Sequence, residues 1–204
     1  LFFLTMLFCF NCLAFFRREG SSMRESLICC KGFITKHSCS GTGTSTLCKL
    51  LEAHLGVPYV YAGQLFRAEA AVRGMTLAEF GALCETDPAV DKALDAKQVE
   101  LLQGGDIILE GRLSGWLAHQ NQVPALKVWL TCADEERIRR ITERDGEDAD
   151  AQRVKTLARE ASERARYQSY YGMDLQDLSP YDLVLDSTHQ SPKALMAAVL
   201  EALS

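Results

Sequence analysis

The chain has 204 residues, 48% of them hydrophobic and 24% charged, which favours one compact domain with a real core. Its formal charge of −5 argues against broad nucleic-acid binding, although a local group of arginines can still hold a small phosphorylated ligand. Of eight cysteines, six precede position 49 and the other two, Cys84 and Cys132, sit singly, which is the pattern of a reducing, cytoplasmic compartment rather than a disulfide framework.

Residues 1 to 16 are apolar almost throughout and give way to Arg17-Arg18-Glu19-Gly20. The run is shorter than the ~20 residues that span a bilayer and lacks the basic lead and small-residue cleavage site of a secretory signal. We read residues 1–22 as an N-terminal extension that the working domain does not need, with that domain running from Met23 to Ser204. Cys9 and Cys12 fall inside the apolar run, and Cys29, Cys30, His37 and Cys39 lack the paired spacing of a zinc site. His54, His119 and His189 are scattered, so spacing assigns none of the histidines a catalytic role.

From Met23 on, short apolar runs alternate with amphipathic stretches, the signature of strand–helix units wound into a parallel sheet. Strands are predicted at Phe33 to Lys36, with Ser26 to Cys30 competing for first place, and at Pro58 to Val60, Asp106 to Glu110, Leu126 to Thr131 and Leu183 to Leu185. Helices are predicted at Ser45 to Leu55, Gly63 to Arg73, Thr76 to Glu85, Pro88 to Gln103, Asp134 to Arg144, Asp148 to Tyr170 and Pro192 to Leu203, several opened by Ser, Thr, Asp or Pro.

The first strand runs into Ser38-Cys39-Ser40-Gly41-Thr42-Gly43-Thr44-Ser45-Thr46, and a helix follows. Strand, glycine-bearing loop and helix start in that order make a phosphate cradle: Gly41 and Gly43 permit unusual dihedrals, and the helix start adds unsatisfied amides and a partial positive charge. Ser45 stands where a P-loop hydroxyl reaches magnesium. Against the pattern G-x-x-x-x-G-K-[ST], Ser38 replaces the first glycine and Thr44 the lysine.

Arginines supply the other half of a phosphate site. Arg67 follows a predicted strand by one helical turn, where its fork of donors suits a bidentate phosphate contact. Glu110-Gly111-Arg112 ends an apolar strand, and ligands bind outside the carboxyl ends of strands in doubly wound sheets. Arg137, Arg140 and Arg144 share one helical face, and Arg159, Glu163 and Arg166 share another.

Taken in order, Gly43-Thr44-Ser45-Thr46, the run Tyr59 to Arg67 with Gly63, Arg73 to Phe80, Asp106 to Trp116, Arg159 to Tyr167, Tyr170 to Asp174 and Tyr181 to Thr188 resemble the archaeal-type cytidylate kinases. That resemblance implies a P-loop doubly wound, parallel five-stranded sheet flanked by helices, with nucleoside-monophosphate-binding and lid elements. It implies phosphorylation of CMP and dCMP by ATP with Mg2+, Thr44 being a trait of that family. It places Ser38, Gly41, Thr42, Gly43, Thr44, Ser45 and Thr46 on ATP, with Ser45 at the metal. Gly63, Arg67, Glu110, Gly111 and Arg112 go to CMP, and Arg140, Arg144, Arg159 and Arg166 to a lid that closes on the phosphates. The expected partners are nucleotides, with no nucleic acid and no membrane, and a monomer is favoured. Two alternatives stay open: a kinase for another monophosphate such as AMP or UMP, and a degenerate nucleotide-binding protein tethered by its apolar first residues.

Overall fold

The computed structural model describes residues 33–36, 41–146 and 148–204. Five strands, β1 (Phe33–Lys36), β2 (Tyr59–Tyr61), β3 (Ile108–Glu110), β4 (Leu126–Thr131) and β5 (Leu183–Asp186), pair in parallel in the order β2-β3-β1-β4-β5. Phe33 stands opposite Ile108 on one side and Leu126 on the other, which puts β1 at the centre. The competing first strand, Ser26 to Cys30, lies outside the described residues.

Both faces of the sheet are covered, and strand alternation shows how. Ile108, Val128 and Leu130 pack with Leu47 and Leu51 of α1 (Thr44–Leu55) and with Leu195 and Val199 of α8 (Pro192–Leu203). The next residue along β3, Leu109, points the other way, to Leu102 of α4 (Pro88–Gln103) and Ala118 of α5 (Ser114–Gln120). That is why β3 reads as an unbroken apolar run. Each such leucine taken fully from water contributes roughly 2 kcal/mol of transfer free energy.

Beyond the sheet, α2 (Ala62–Val72), α3 (Leu77–Thr86) and the first turns of α4 enclose a separate core of Ala70, Phe80, Cys84, Val90 and Leu94. α6 (Asp134–Asp145) follows β4, and the 23-residue α7 (Ala149–Tyr171) follows α6. The C-terminal end of α7 is anchored where Tyr167 and Tyr171 pack on Leu113, Leu117 and Met173.

Side-chain caps set four of the eight described helix starts. Thr76 and Glu79 form a capping box, Asp87 caps α4 ahead of Pro88, Asp148 caps α7, and Ser191 caps α8 ahead of Pro192. The helix that the sequence did not announce is α5, which has only 7 residues and no side-chain cap. Its Gly115 admits the Tyr181 ring so closely that an added Cβ would stand 2.3 Å from it. Tertiary packing forms this turn and local propensity does not. The third strand also starts later than expected: Asp106 has φ 38, a left-handed backbone that cannot open a strand. Among the described residues, no helix is long and apolar enough to cross a membrane.

Candidate active site

The carboxyl ends of β1 and β3 bring the glycine loop and Glu110 together. Gly41 and Gly43 have φ of 92 and 85, and Gly43 is the N-cap of α1. Gly41 is needed twice over, since a Cβ there would lie 2.6 Å from the carbonyl oxygen of Arg137. Thr42 and Thr44 turn inward, buried, with their hydroxyl oxygens 3.1 Å apart, whereas Gly43, Ser45 and Thr46 face solvent. The cradle is thus a backbone device, and none of the described residues from Gly41 to Thr46 brings a charged side chain. Ser38 lies outside the described residues.

Glu110 belongs with Ser45, a placement the sequence did not give. The sequence reading assigned it to the acceptor, but Ser45 Oγ donates to the Glu110 carboxylate at 3.0 Å and the Tyr59 hydroxyl donates to Oε2. Burial pushes the Glu110 carboxyl up, and the hydrogen bonds from Tyr59 and Ser45 pull it back; Tyr59 itself is pushed up, by burial and then by the same carboxylate. A half-buried carboxylate beside a hydroxyl is a hard-oxygen donor set that suits Mg2+, and a divalent ion there would offset the cost of desolvating the charge.

The α6 arginines grade from inside to outside. Arg137 is buried, with its guanidinium 2.5 Å from Asp134 and 2.7 Å from Glu160, and it ties α6 to α7. Arg140 does not reach outward as a lid residue. Its Nε donates to Glu136 at 2.7 Å, Nη2 to the Ser187 and Thr188 carbonyls at 2.9 and 3.3 Å, and Nη1 to the Gly41 carbonyl at 3.5 Å. Ser187 Oγ is within 2.8 Å of the Thr42 carbonyl and 2.9 Å of the Thr131 carbonyl. Arg140 therefore underpins the glycine loop. Arg144 is exposed, forks onto Asp145 at 2.6 and 2.9 Å, and lies close enough to Tyr61 for the phenol to bear on its charge.

Among the residues expected to hold the acceptor, Arg67 lies over the Tyr61 ring at 5.5 Å, and Gly63 leaves room for that ring, which an added Cβ would meet at 2.5 Å. Gly111 is hemmed in by Ser114, Ala62 and Gln98; a Cβ there would stand 2.3 Å from Ser114 Oγ. Arg112 is half-buried, and its charge acts on the Tyr167 phenol. The Arg159 side chain lies outside the described atoms.

Arg166 is paired with α4 in this structure. Its Nη1 lies 3.2 Å from Asp91 on α4, one end of a polar row that sequence reasoning missed. Asp95, one turn on, accepts from Tyr171 at 2.5 Å and from Gln98 at 2.9 Å, and Ser114 donates to Gln98 at 3.0 Å. Burial pushes Asp95 up to about 6, the nearby Asp91 adding to the rise while Tyr171 and Arg166 oppose it. One signal was available: Gln98 interrupts the apolar stripe Val90, Leu94, Leu102 on α4.

A parallel sheet in this order, with a glycine loop between its central strand and the next helix, is the P-loop kinase fold. Shikimate kinase from Bacteroides thetaiotaomicron shares it with a TM-score of 0.55 at 14% identity, over 85% of this chain and 98% of that one. The family model for the cytidylate kinase-like family matches residues 33–189, and the chain belongs to that family. Cytidylate kinase from Methanococcus maripaludis strain C7 is 44% identical over 156 residues, 76% of this chain and 88% of the relative. Cytidylate kinase from Pyrococcus abyssi is 39% identical over 170 residues, 83% of this chain and 92% of the relative.

Proposed function

We propose that the protein transfers the γ-phosphoryl group of ATP to CMP and dCMP, giving ADP with CDP or dCDP. The observation that carries this reading is the meeting of Ser45 and Glu110 at the mouth of a backbone-built glycine loop, in a chain 44% identical to a cytidylate kinase. The acceptor phosphate is the nucleophile, so the chain needs no nucleophilic side chain and works by positioning and by neutralising charge.

In this reading, amides from Gly41 to Thr46 hold the donor phosphates, and Gly63, Arg67, Gly111 and Arg112 hold the acceptor. Mg2+, held by Ser45 and Glu110, would neutralise charge on the transferring group. Arg144 and Arg159 would approach as α6 and α7 close, excluding water that otherwise hydrolyses ATP. A phosphate-clamping arginine is worth about 10³ to 10⁵ in rate in related transfers, far more than a surface ion pair. Arg140 acts through the loop and is a positioning residue. The buried thiol of Cys84, in no disulfide, supports a reducing, cytoplasmic setting.

A coupled assay for ADP, with ATP and each of CMP, dCMP, UMP and AMP, tests the reading on chains starting at Leu1 and at Met23. Turnover of CMP and dCMP well above UMP and AMP, equal for both starts, is the expected result. ATP binding without CDP formation overturns it.

A further inference from the structure

We propose that Asp91 and Asp95, with Arg166 beside them, read the hydrogen-bonding edge of the acceptor's base and select cytosine over uracil. This rests on the reading of the protein as a CMP kinase and names the residues that give that site its base preference.

The placement is the first argument. Gly111, at the end of β3, is pressed against Gln98 Oε1, which would lie 2.9 Å from a Cβ at that glycine. From Gln98 the row continues along α4 to Asp95 and then Asp91, roughly 5 and 10 Å away by the helical rise. A ribose and base bridge that span when the phosphate end lies at Gly111 and Arg112. α7 faces the same row with Arg166, Tyr167 and Tyr171, whose guanidinium and phenols sense both carboxylates.

The chemistry is the second argument. Cytosine presents an amine donor at N4 beside acceptors at N3 and O2; uracil puts an acceptor at position 4 and a donor at N3. A carboxylate accepts from the cytosine N4 amine, and a guanidinium beside it donates to N3 or O2. Each oxygen of Asp95 accepts one hydrogen bond, from Tyr171 and from Gln98, and keeps a second lone pair. The uracil O4 would meet that carboxylate as a second acceptor, which leaves buried groups unpaired.

The third argument separates a reading site from a mere brace between α4 and α7. Arg166 Nε is buried and has no hydrogen-bond partner among the described residues, although Nη1 is paired to Asp91. A brace would satisfy that donor, since buried polar groups are normally paired. Apolar side chains would also join the two helices at lower cost than two half-buried carboxylates on adjacent turns.

The test compares Asp91→Asn and Asp95→Asn with the wild-type chain in kcat/KM for CMP and for UMP at fixed ATP, together with calorimetric binding of each monophosphate without ATP. For each variant, kcat/KM for CMP should fall about 10²-fold or more, with a much smaller loss for UMP, so that the preference narrows at least about 30-fold. CMP binding should weaken while the KM for ATP holds. Equal losses for CMP and UMP in both variants, or an unchanged preference, overturn the assignment and leave a brace. If one variant does not fold, the other still decides. A wild-type chain that phosphorylates no CMP is a different failure, that of the kinase reading itself.

Discussion

Two walls of the cleft are made in opposite ways. The proposed donor side is almost all backbone: Gly41 and Gly43 in left-handed conformations, inward-turned threonines and the start of α1, contributed by consecutive residues. The proposed acceptor side is almost all side chain, with Asp91 meeting Arg166 and Asp95 meeting Tyr171 across about 75 residues of sequence. A triphosphate is the same in every nucleotide and can be gripped by generic amides, whereas telling one base from another needs donors and acceptors of defined chemistry. The two walls should therefore fail differently when altered.

The largest expected effect lies where the walls meet. Glu110→Gln keeps the shape of the Ser45 and Tyr59 contacts but removes the charge, and should lower kcat by about 10³-fold while leaving the melting temperature unchanged or higher. A parallel fall in stability and rate would mean that Glu110 serves the fold. Next comes Gly41→Ala, which meets both a positive φ and the Arg137 carbonyl. It should cost roughly 2 to 4 kcal/mol of stability and weaken ATP binding before CMP binding. Equal weakening of both would break the division between the walls.

On the acceptor side, the raised Asp95 makes a pH prediction. Its folded value of about 6 lies above the ordinary 3.8, so the folded chain takes up a proton between those values. The stability it withholds is absent below about pH 4, grows as pH rises through 6 and is fully felt above, at roughly 2 to 3 kcal/mol. Asp91, Arg166, Tyr167 and Tyr171 face the same carboxyl and do not reverse the sign. Asp95→Asn should therefore melt higher than wild type at pH 7.5 and show no such advantage at pH 4; an advantage that does not change with pH contradicts this. The smallest effect is Arg140→Lys, which keeps the charge but loses the fork onto Ser187, Thr188 and Glu136. The KM for ATP should rise about 10-fold with the KM for CMP unchanged.

The contrast also explains what could be read without coordinates. The glycine loop, the alternation of strands and helices and the capped helix starts are local patterns, and Thr76 with Glu79 or Asp87 with Pro88 states a helix start within a few residues. α5 was missed because nothing local starts it. Glu110 was legible as a candidate site residue but not as the partner of Ser45, 65 residues away. Arg140 and Arg166 look alike in the sequence, each a basic residue on a helical face. One is bound to carbonyls beneath the glycine loop and the other to an acid on α4, and only packing separates them.

Ser187 and Thr188, just past β5, hold Arg140 and through it the loop at Gly41, almost 150 residues earlier in the chain. During synthesis, then, this brace on the loop forms only after the last strand has been made and docked. A translation product cut short before residue 187 would carry every loop residue but lack this brace, and should hold nucleotide more weakly than the full chain. Capture on immobilised nucleotide is therefore a ready way to sort finished molecules from truncated ones.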